Sequence, residues 1–151
     1  MLASGFFLAG CASTARLSED HPTERAQIGH LLHDIFDAAQ AKDLPRLDSY
    51  HWYGAKFTKF GSDSSGRQDS PAARQGEHVG LAAIKGLTMQ ANDLKIDVFG
   101  DVAIATFILD VSFQAGSDQV QKKERATMLF VKKSDGWKIT HEHFSAFKAT
   151  P

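Results

Sequence analysis

The 151-residue chain has a single cysteine, Cys11, so no disulfide can form within it. It also lacks the arginine clusters and basic stripes that track phosphates. With 17 basic side chains against 18 acidic ones, nothing in the charge balance points to a nucleic-acid partner. No internal repeat or low-complexity tract is found. The length is too small for two comfortable domains, yet 42% hydrophobic and 10% aromatic residues are enough for one proper core. Seven histidines let the net charge rise as pH falls, because an unperturbed imidazole titrates near roughly 6.5. That property alone assigns no function.

The first residues, M-L-A-S-G-F-F-L-A-G-C, form a short apolar run that ends in Leu8-Ala9-Gly10-Cys11, after which the chain turns polar. This resembles a bacterial lipoprotein signal with its lipobox. Small residues at Ala9 and Gly10 give a peptidase access to the backbone, and the Cys11 thiol is the group that takes the lipid. Ala12 is not the aspartate that retains such proteins at the inner membrane, so the resemblance implies a lipid-anchored protein of the cell envelope. In a Gram-negative cell it would lie at the outer membrane, facing the periplasm. The expected organisation is a signal over 1–11, a small and polar tether over 12–21, and one domain over 22–148.

Within the domain, Ile28, Leu31, Leu32, Ile35, Phe36 and Ala39 recur at helical spacing. His30, His33, Asp34 and Asp37 take the opposite, solvated side, and Pro22 suits the first turn. A short helix is expected from Leu44 to about Tyr50 and a strand near Ala55 to Phe60, where aromatic residues gather. Gly61 to Gly76 is dense in turn formers and predicts a long loop, with a third helix starting at Gly76-Glu77-His78. After Asn92 the apolar period changes to two. Leu94, Ile96 and Val98 alternate with polar residues, Gly100-Asp101 turns the chain, and Val102 to Phe113 reads as a long strand. A last hairpin pairs Lys123–Lys133 with Trp137–Phe147 across Ser134-Asp135-Gly136.

Helices followed by antiparallel strands predict an α+β domain with the sheet curled over the helices. This order, with V-F-G-D-V-A-I-A-T-F, E-R-A-T-M-L-F-V-K-K-S-D-G-W-K-I and H-E-H-F-S, resembles the nuclear transport factor 2-like superfamily. The SnoaL-like proteins and the association domain of calcium/calmodulin-dependent kinase II are the nearest branches. The resemblance implies a cone-shaped, cystatin-like fold with a pocket between sheet and helices, often dimerising through the sheet.

The chemistry-bearing residues gather near the C-terminus. Side chains two apart on a strand share a face, so Trp137, Ile139, His141, His143 and Ser145 are expected inside the cone and Glu142 outside. A three-residue loop, Ser134-Asp135-Gly136, sets Lys133 opposite Trp137, Leu129 opposite His141, Thr127 opposite His143 and Arg125 opposite Ser145. A two-residue loop would instead shift the parity and bring Met128 beside His143; the first is preferred because it puts Arg125 and Thr127 on the inner face, as the Arg-x-Thr pattern of the resembled family also implies. Arg125, Thr127, His141, His143 and Ser145 would then converge on a small polar or anionic ligand, with Trp52 and Tyr53 at the pocket rim. The alternative is that the histidines are structural. A pair of strand histidines is half a zinc site, and with no defensible third ligand no metal or cofactor is expected.

The superfamily includes isomerases and cyclases that abstract a proton next to a carbonyl with a carboxylate base. The corresponding stretch here, H-W-Y-G-A-K-F, carries no acid, and the orientation of Asp110 is open. The expected function is therefore binding of a small ligand in the cone. Alternatives are a small isomerase, cyclase or hydrolase using a pocket histidine, and a dimeric interaction module.

Overall fold

A computed structural model describes residues 19–147. Cys11, the expected signal and the tether as far as residue 18 lie outside the described residues.

Helix α1 (Pro22–Ala41) buries Ile28, Leu32, Ile35, Phe36 and Ala39, the stripe expected from the sequence. Pro22 stands in its first turn, where a missing N–H costs nothing. The helix ends at Lys42, which takes the left-handed conformation with φ 56°. Helix α2 (Leu44–Ser49) follows at once. The Asp43 carboxylate caps it by accepting from the Arg46 N–H at 3.1 Å.

Strand β1 (Thr58–Phe60) is short, and helix α3 (Ser70–Ala83) leads straight into β2 (Ile84–Phe99). Strands β3 (Val102–Ala115), β4 (Asp118–Lys133) and β5 (Gly136–Ala146) complete a five-stranded sheet in the order β1-β5-β4-β3-β2. All pairs are antiparallel except β1 with β5. The fold is the expected α+β cone, with the curved sheet packed on the helices.

Strand β3 shows why the sheet has an inside. Ala103, Ala105, Phe107, Leu109 and Val111 alternate inward and are buried, while Asp110 faces out and pairs with Lys123 at 3.1 Å. Phe36 of α1 meets Phe107 edge to face, with ring centroids 6.0 Å apart. The core thus lies between α1 and the concave face.

Several boundaries differ from expectation: β1 begins at Thr58 rather than near Ala55, β4 at Asp118 rather than Lys123, and two differences bear on the site. Helix α3 begins at Ser70 rather than Gly76, because Asp69 caps it by accepting from the Ala72 N–H at 3.1 Å and Pro71 fits its first turn. The connecting loop therefore covers only 61–69. Strand β2 begins at Ile84 rather than after Asn92, and a register shift between Asn92 and Lys95, with Asp93 at φ 52°, breaks the alternation there.

Candidate functional site

The last hairpin decides what the cone contains. Its loop has two residues, since Lys133 pairs with Gly136 and Lys132 with Trp137. The expected pairs Leu129–His141, Thr127–His143 and Arg125–Ser145 are nevertheless present, because an extra residue, Thr140, is inserted between Ile139 and His141. Such a bulge reverses the alternation of side chains along the strand. Before it Trp137 and Ile139 are buried, and after it Glu142 is buried at 3% exposure.

The expected inner-face placement of His141, His143, Ser145, Arg125 and Thr127 is thereby corrected: all five lie on the outer, convex face. Opposed residues share a face, and Met128 and Ala126, the buried inner neighbours, stand against Glu142 and Phe144 instead. Outside, Nδ1 of His141 and the Thr58 hydroxyl are 2.8 Å apart, and Phe60 leans on His143 at 5.7 Å between ring centroids. A guanidinium nitrogen of Arg125 donates to the Ala146 carbonyl at 3.2 Å. Trp52 lies under the Lys133 ammonium, 4.1 Å from its ring centroid. Of the seven expected ligand-binding residues, only Tyr53 reaches the interior cluster.

That cluster forms where three elements meet. The parallel pairing of β1 with β5 sets Lys59 beside Glu142 on the inner face. Just after α2, His51 bridges to Ile139 and is fixed by backbone bonds on both sides, Ile139 N–H to Tyr50 carbonyl and Trp52 N–H to Ile139 carbonyl, each 2.8 Å. Glu77 descends from α3. The Lys59 ammonium makes an ion pair with Glu142 at 2.9 Å and a short contact with Glu77, and the Tyr53 hydroxyl donates to the other Glu77 oxygen at 2.9 Å.

His51 is the unusual member. Its ring stacks on Tyr53, with centroids 4.8 Å apart and planes within 5°, and meets Phe57 edge-on. Nδ1 lies 3.0 Å from the Leu47 carbonyl, an acceptor, so Nδ1 carries a hydrogen. Nε2 has no hydrogen-bond partner among the described residues, the nearest carboxylate oxygens being 3.6 Å (Glu142) and 4.0 Å (Glu77) away. Burial works to lower the imidazole pKa, but Glu142 and then Glu77 outweigh it and hold it above the ordinary 6.5. Burial likewise resists charge on Glu142, but Lys59 and His51 prevail and keep it well below its ordinary range. With His51 protonated, two cations face two carboxylates and the cluster is neutral.

These groups border a cavity of about 230 Å³ between the helices and the concave sheet. Ile35, Phe36, Leu87, Met89, Leu109 and Val111 are among its walls, and the charged cluster closes one side. His51, Glu77 and Glu142 could each offer a metal one atom, all within 4.8 Å of one another. The Lys59 ammonium already bridges both carboxylates, so the cation these acids require is supplied by the protein itself.

The interior site escaped sequence reasoning because its signal was divided. His51 and Glu142 were visible as residue types, but only the Thr140 bulge and the β1–β5 pairing bring them together. A buried-strand glutamate flanked by histidines reads as an outward charge unless the bulge is known.

The family model for the SnoaL-like domain matches residues 28–149. No curated protein sequence matches the chain. Among solved structures, a candidate dehydratase of the nuclear transport factor 2-like family from Streptomyces avermitilis superposes with a TM-score of 0.78. It is 20% identical, and the match covers 85% of this chain and 99% of that one. A candidate calcium/calmodulin-dependent kinase II association domain from Exiguobacterium sibiricum gives 0.71 at 13% identity, over 88% of this chain and 100% of that one. A candidate ketosteroid isomerase from Shewanella frigidimarina gives 0.65 at 24% identity, over 78% and 93%. At these identities the likeness establishes the fold and no activity.

Proposed function

The chain belongs to the family of SnoaL-like domains, and from that premise we propose that it binds a small, largely apolar molecule whose one hydrogen-bond-accepting end meets His51. The observation that carries this reading is the buried, unpartnered Nε2 of His51 at the wall of an otherwise apolar cavity. With Nδ1–H donating to Leu47, the protonated ring that Glu142 and Glu77 favour carries a second N–H at Nε2, and leaving that donor unmet costs about 1–3 kcal/mol, which a carbonyl or ether oxygen would recover. The anionic ligand expected from the sequence fits less well. Both inner-face cations nearest the cavity, His51 and Lys59, already face Glu77 and Glu142.

The test is direct. Small cyclic ketones added to ¹⁵N-histidine-labelled protein should move the His51 Nε2 resonance and raise the melting temperature, and His51→Phe should abolish both responses. No response from any neutral acceptor would remove the basis of the reading.

A second reading is favoured by one distance: Nε2 of His51 and a Glu77 oxygen are 4.0 Å apart, a proton donor and a carboxylate on one cavity wall. Such a pair could polarise a carbonyl and accept a neighbouring proton, the type of chemistry that the isomerase and dehydratase names of the structural neighbours suggest. Both Glu77 oxygens are engaged by Lys59 and Tyr53, which places binding ahead of catalysis. Loss of α-protons from a bound ketone in D₂O, absent in Glu77→Gln, would reverse that order.

Two further parts of the proposal concern context. Attachment to the envelope through Cys11 is supported by the Leu8–Cys11 pattern, and homodimer formation by the apolar residues Ile104, Ile108 and Leu129 on the convex face.

A further inference from the structure

The charged wall of the apolar cavity also borders polar space. Lys59, Glu77, Lys122, Glu124 and Phe144 border both the apolar cavity and a second hollow of about 440 Å³ beneath the 61–69 loop. The two compartments differ in chemistry. The outer one is lined by Ser62, Asp63, Ser64 and Gln68, with the Gln68 carboxamide lying between Gly61 and Gly76.

Its charges are already spent on one another. Lys122 pairs with Glu124 at 2.9 Å and with Asp63 at 3.5 Å, Ser62 donates to the buried Glu124, and Lys59 is held by Glu77 and Glu142. Among the described residues lining the hollow no ammonium is left to balance an added anion, and a carboxylate or phosphate placed here would face Asp63, Glu77 and Glu124. Hydroxyl groups suit these walls, since each can donate to a carboxylate oxygen and accept from the Gln68 amide.

We infer that the ligand is an amphiphile spanning both compartments, with an apolar body in the inner cavity and an uncharged, polyhydroxylated head under the 61–69 loop. The inference rests on the ligand-binding reading above and adds the head group to it. Apolar burial supplies affinity and the head supplies selection. Lys59 and Glu77 lie at the junction, and His51, which borders the inner cavity alone and stands 4.0 Å from Glu77, meets a polar acceptor at the inner end of the linkage.

Four probes that share a six-carbon chain decide the matter by calorimetry on the 151-residue chain: 1-hexanol, hexyl β-glucoside, hexanoate and hexylamine. Hexyl glucoside should bind most tightly. Gln68→Ala should weaken it roughly five- to tenfold, the worth of one or two hydrogen bonds, and leave hexanol unchanged. Hexanol binding as tightly as the glucoside would overturn the head-group assignment while sparing the cavity reading. Hexanoate or hexylamine matching the glucoside would overturn the uncharged head. Binding of none of the four would overturn both readings together. The comparison within the wild-type protein stands even if Gln68→Ala fails to fold.

Discussion

Nε2 of His51 lies 3.6 Å from a Glu142 oxygen, and the ring is aimed there by its own Nδ1–H, which donates to the Leu47 carbonyl at 3.0 Å. The two residues titrate in opposite senses, and stability should follow. His51, with its pKa raised above 6.5, contributes fully below that value and loses its contribution as pH rises through the raised one. Glu142, lowered from 4.5, contributes above 4.5 and loses its contribution as pH falls toward its folded value. The urea midpoint should therefore be highest between pH 4.5 and 6.5 and decline on both sides. In Glu142→Gln both limbs should flatten. An unchanged alkaline limb would show that His51 draws nothing from Glu142.

Lys59 is the fixed cation of the cluster, with its side chain 13% exposed and shared between Glu77 and Glu142. Burial alone would lower its pKa, but the two carboxylates raise it above the ordinary 10.5. Lys59→Met should cost about 3–5 kcal/mol, because it strands buried carboxylates. It should also push the His51 pKa higher still, since the imidazolium becomes their only counter-charge. Adding Glu142→Leu should restore part of the loss and bring the His51 value down. Single and double variants with equal stability would mean the three groups do not act together.

Much of this architecture was legible in the sequence. The α1 stripe from Ile28 to Ala39 and the β3 alternation are local periodicities, and periodicity survives without tertiary knowledge. The strand pairing of Arg125 with Ser145 and Thr127 with His143 was also foreseeable. The face they occupy was not, because a two-residue loop and a one-residue bulge cancel in register yet reverse direction. The start of α3 was signalled by Asp69-Ser70-Pro71, a cap followed by a first-turn proline, hidden in a run that otherwise reads as loop. The parallel β1–β5 contact that joins Lys59 to Glu142 has no local signature at all.

Helix α3 is held over the cavity mostly by polar contacts, its one buried residue being Ala73. Asp48 of α2 accepts from Arg74 at 2.8 Å and bonds His78 at 2.9 Å, and Glu77 ties the helix to Lys59 and Tyr53. Asp48→Ala should speed amide exchange along Ser70–Ala83 and leave β3 and β4 unchanged. Asp69→Ala should cost about 1 kcal/mol as a lost cap. Uniform acceleration across the sheet would show that α3 is part of the global unit rather than a separately opening one.

The convex face makes a contrasting prediction. Arg125→Met, His141→Ala and His143→Ala should leave ligand affinity in the cone unchanged, because their side chains lie on the other side of the sheet. Ile108→Lys, set in the middle of that face opposite Arg125, should shift a dimer to monomer in analytical ultracentrifugation without changing the fold. A ligand lost in His143→Ala but kept in His51→Phe would place the site outside the cone.

The Thr140 bulge can be tested by removing it. Thr140 has no partner on β4, so its deletion leaves a continuous ladder in which one half of β5 must turn over. Either Trp137 and Ile139 rotate outward, exposing two residues now buried at 6% and 0% exposure, or Glu142 and Phe144 do, breaking the ion cluster. The first outcome forfeits core packing and the second strands Lys59 and His51, so the deletion should cost several kcal/mol by either route, on the order of 3–5. Thr140→Ala keeps the extra residue and should change stability by less than about 1 kcal/mol. The His51 imidazole reports which half has turned: a pKa returned toward 6.5 marks loss of Glu142, while a raised value in a destabilised protein marks loss of Trp137 and Ile139. A deletion variant as stable as the parent, with His51 unmoved, would mean that the bulge does not set which face of β5 looks into the cone.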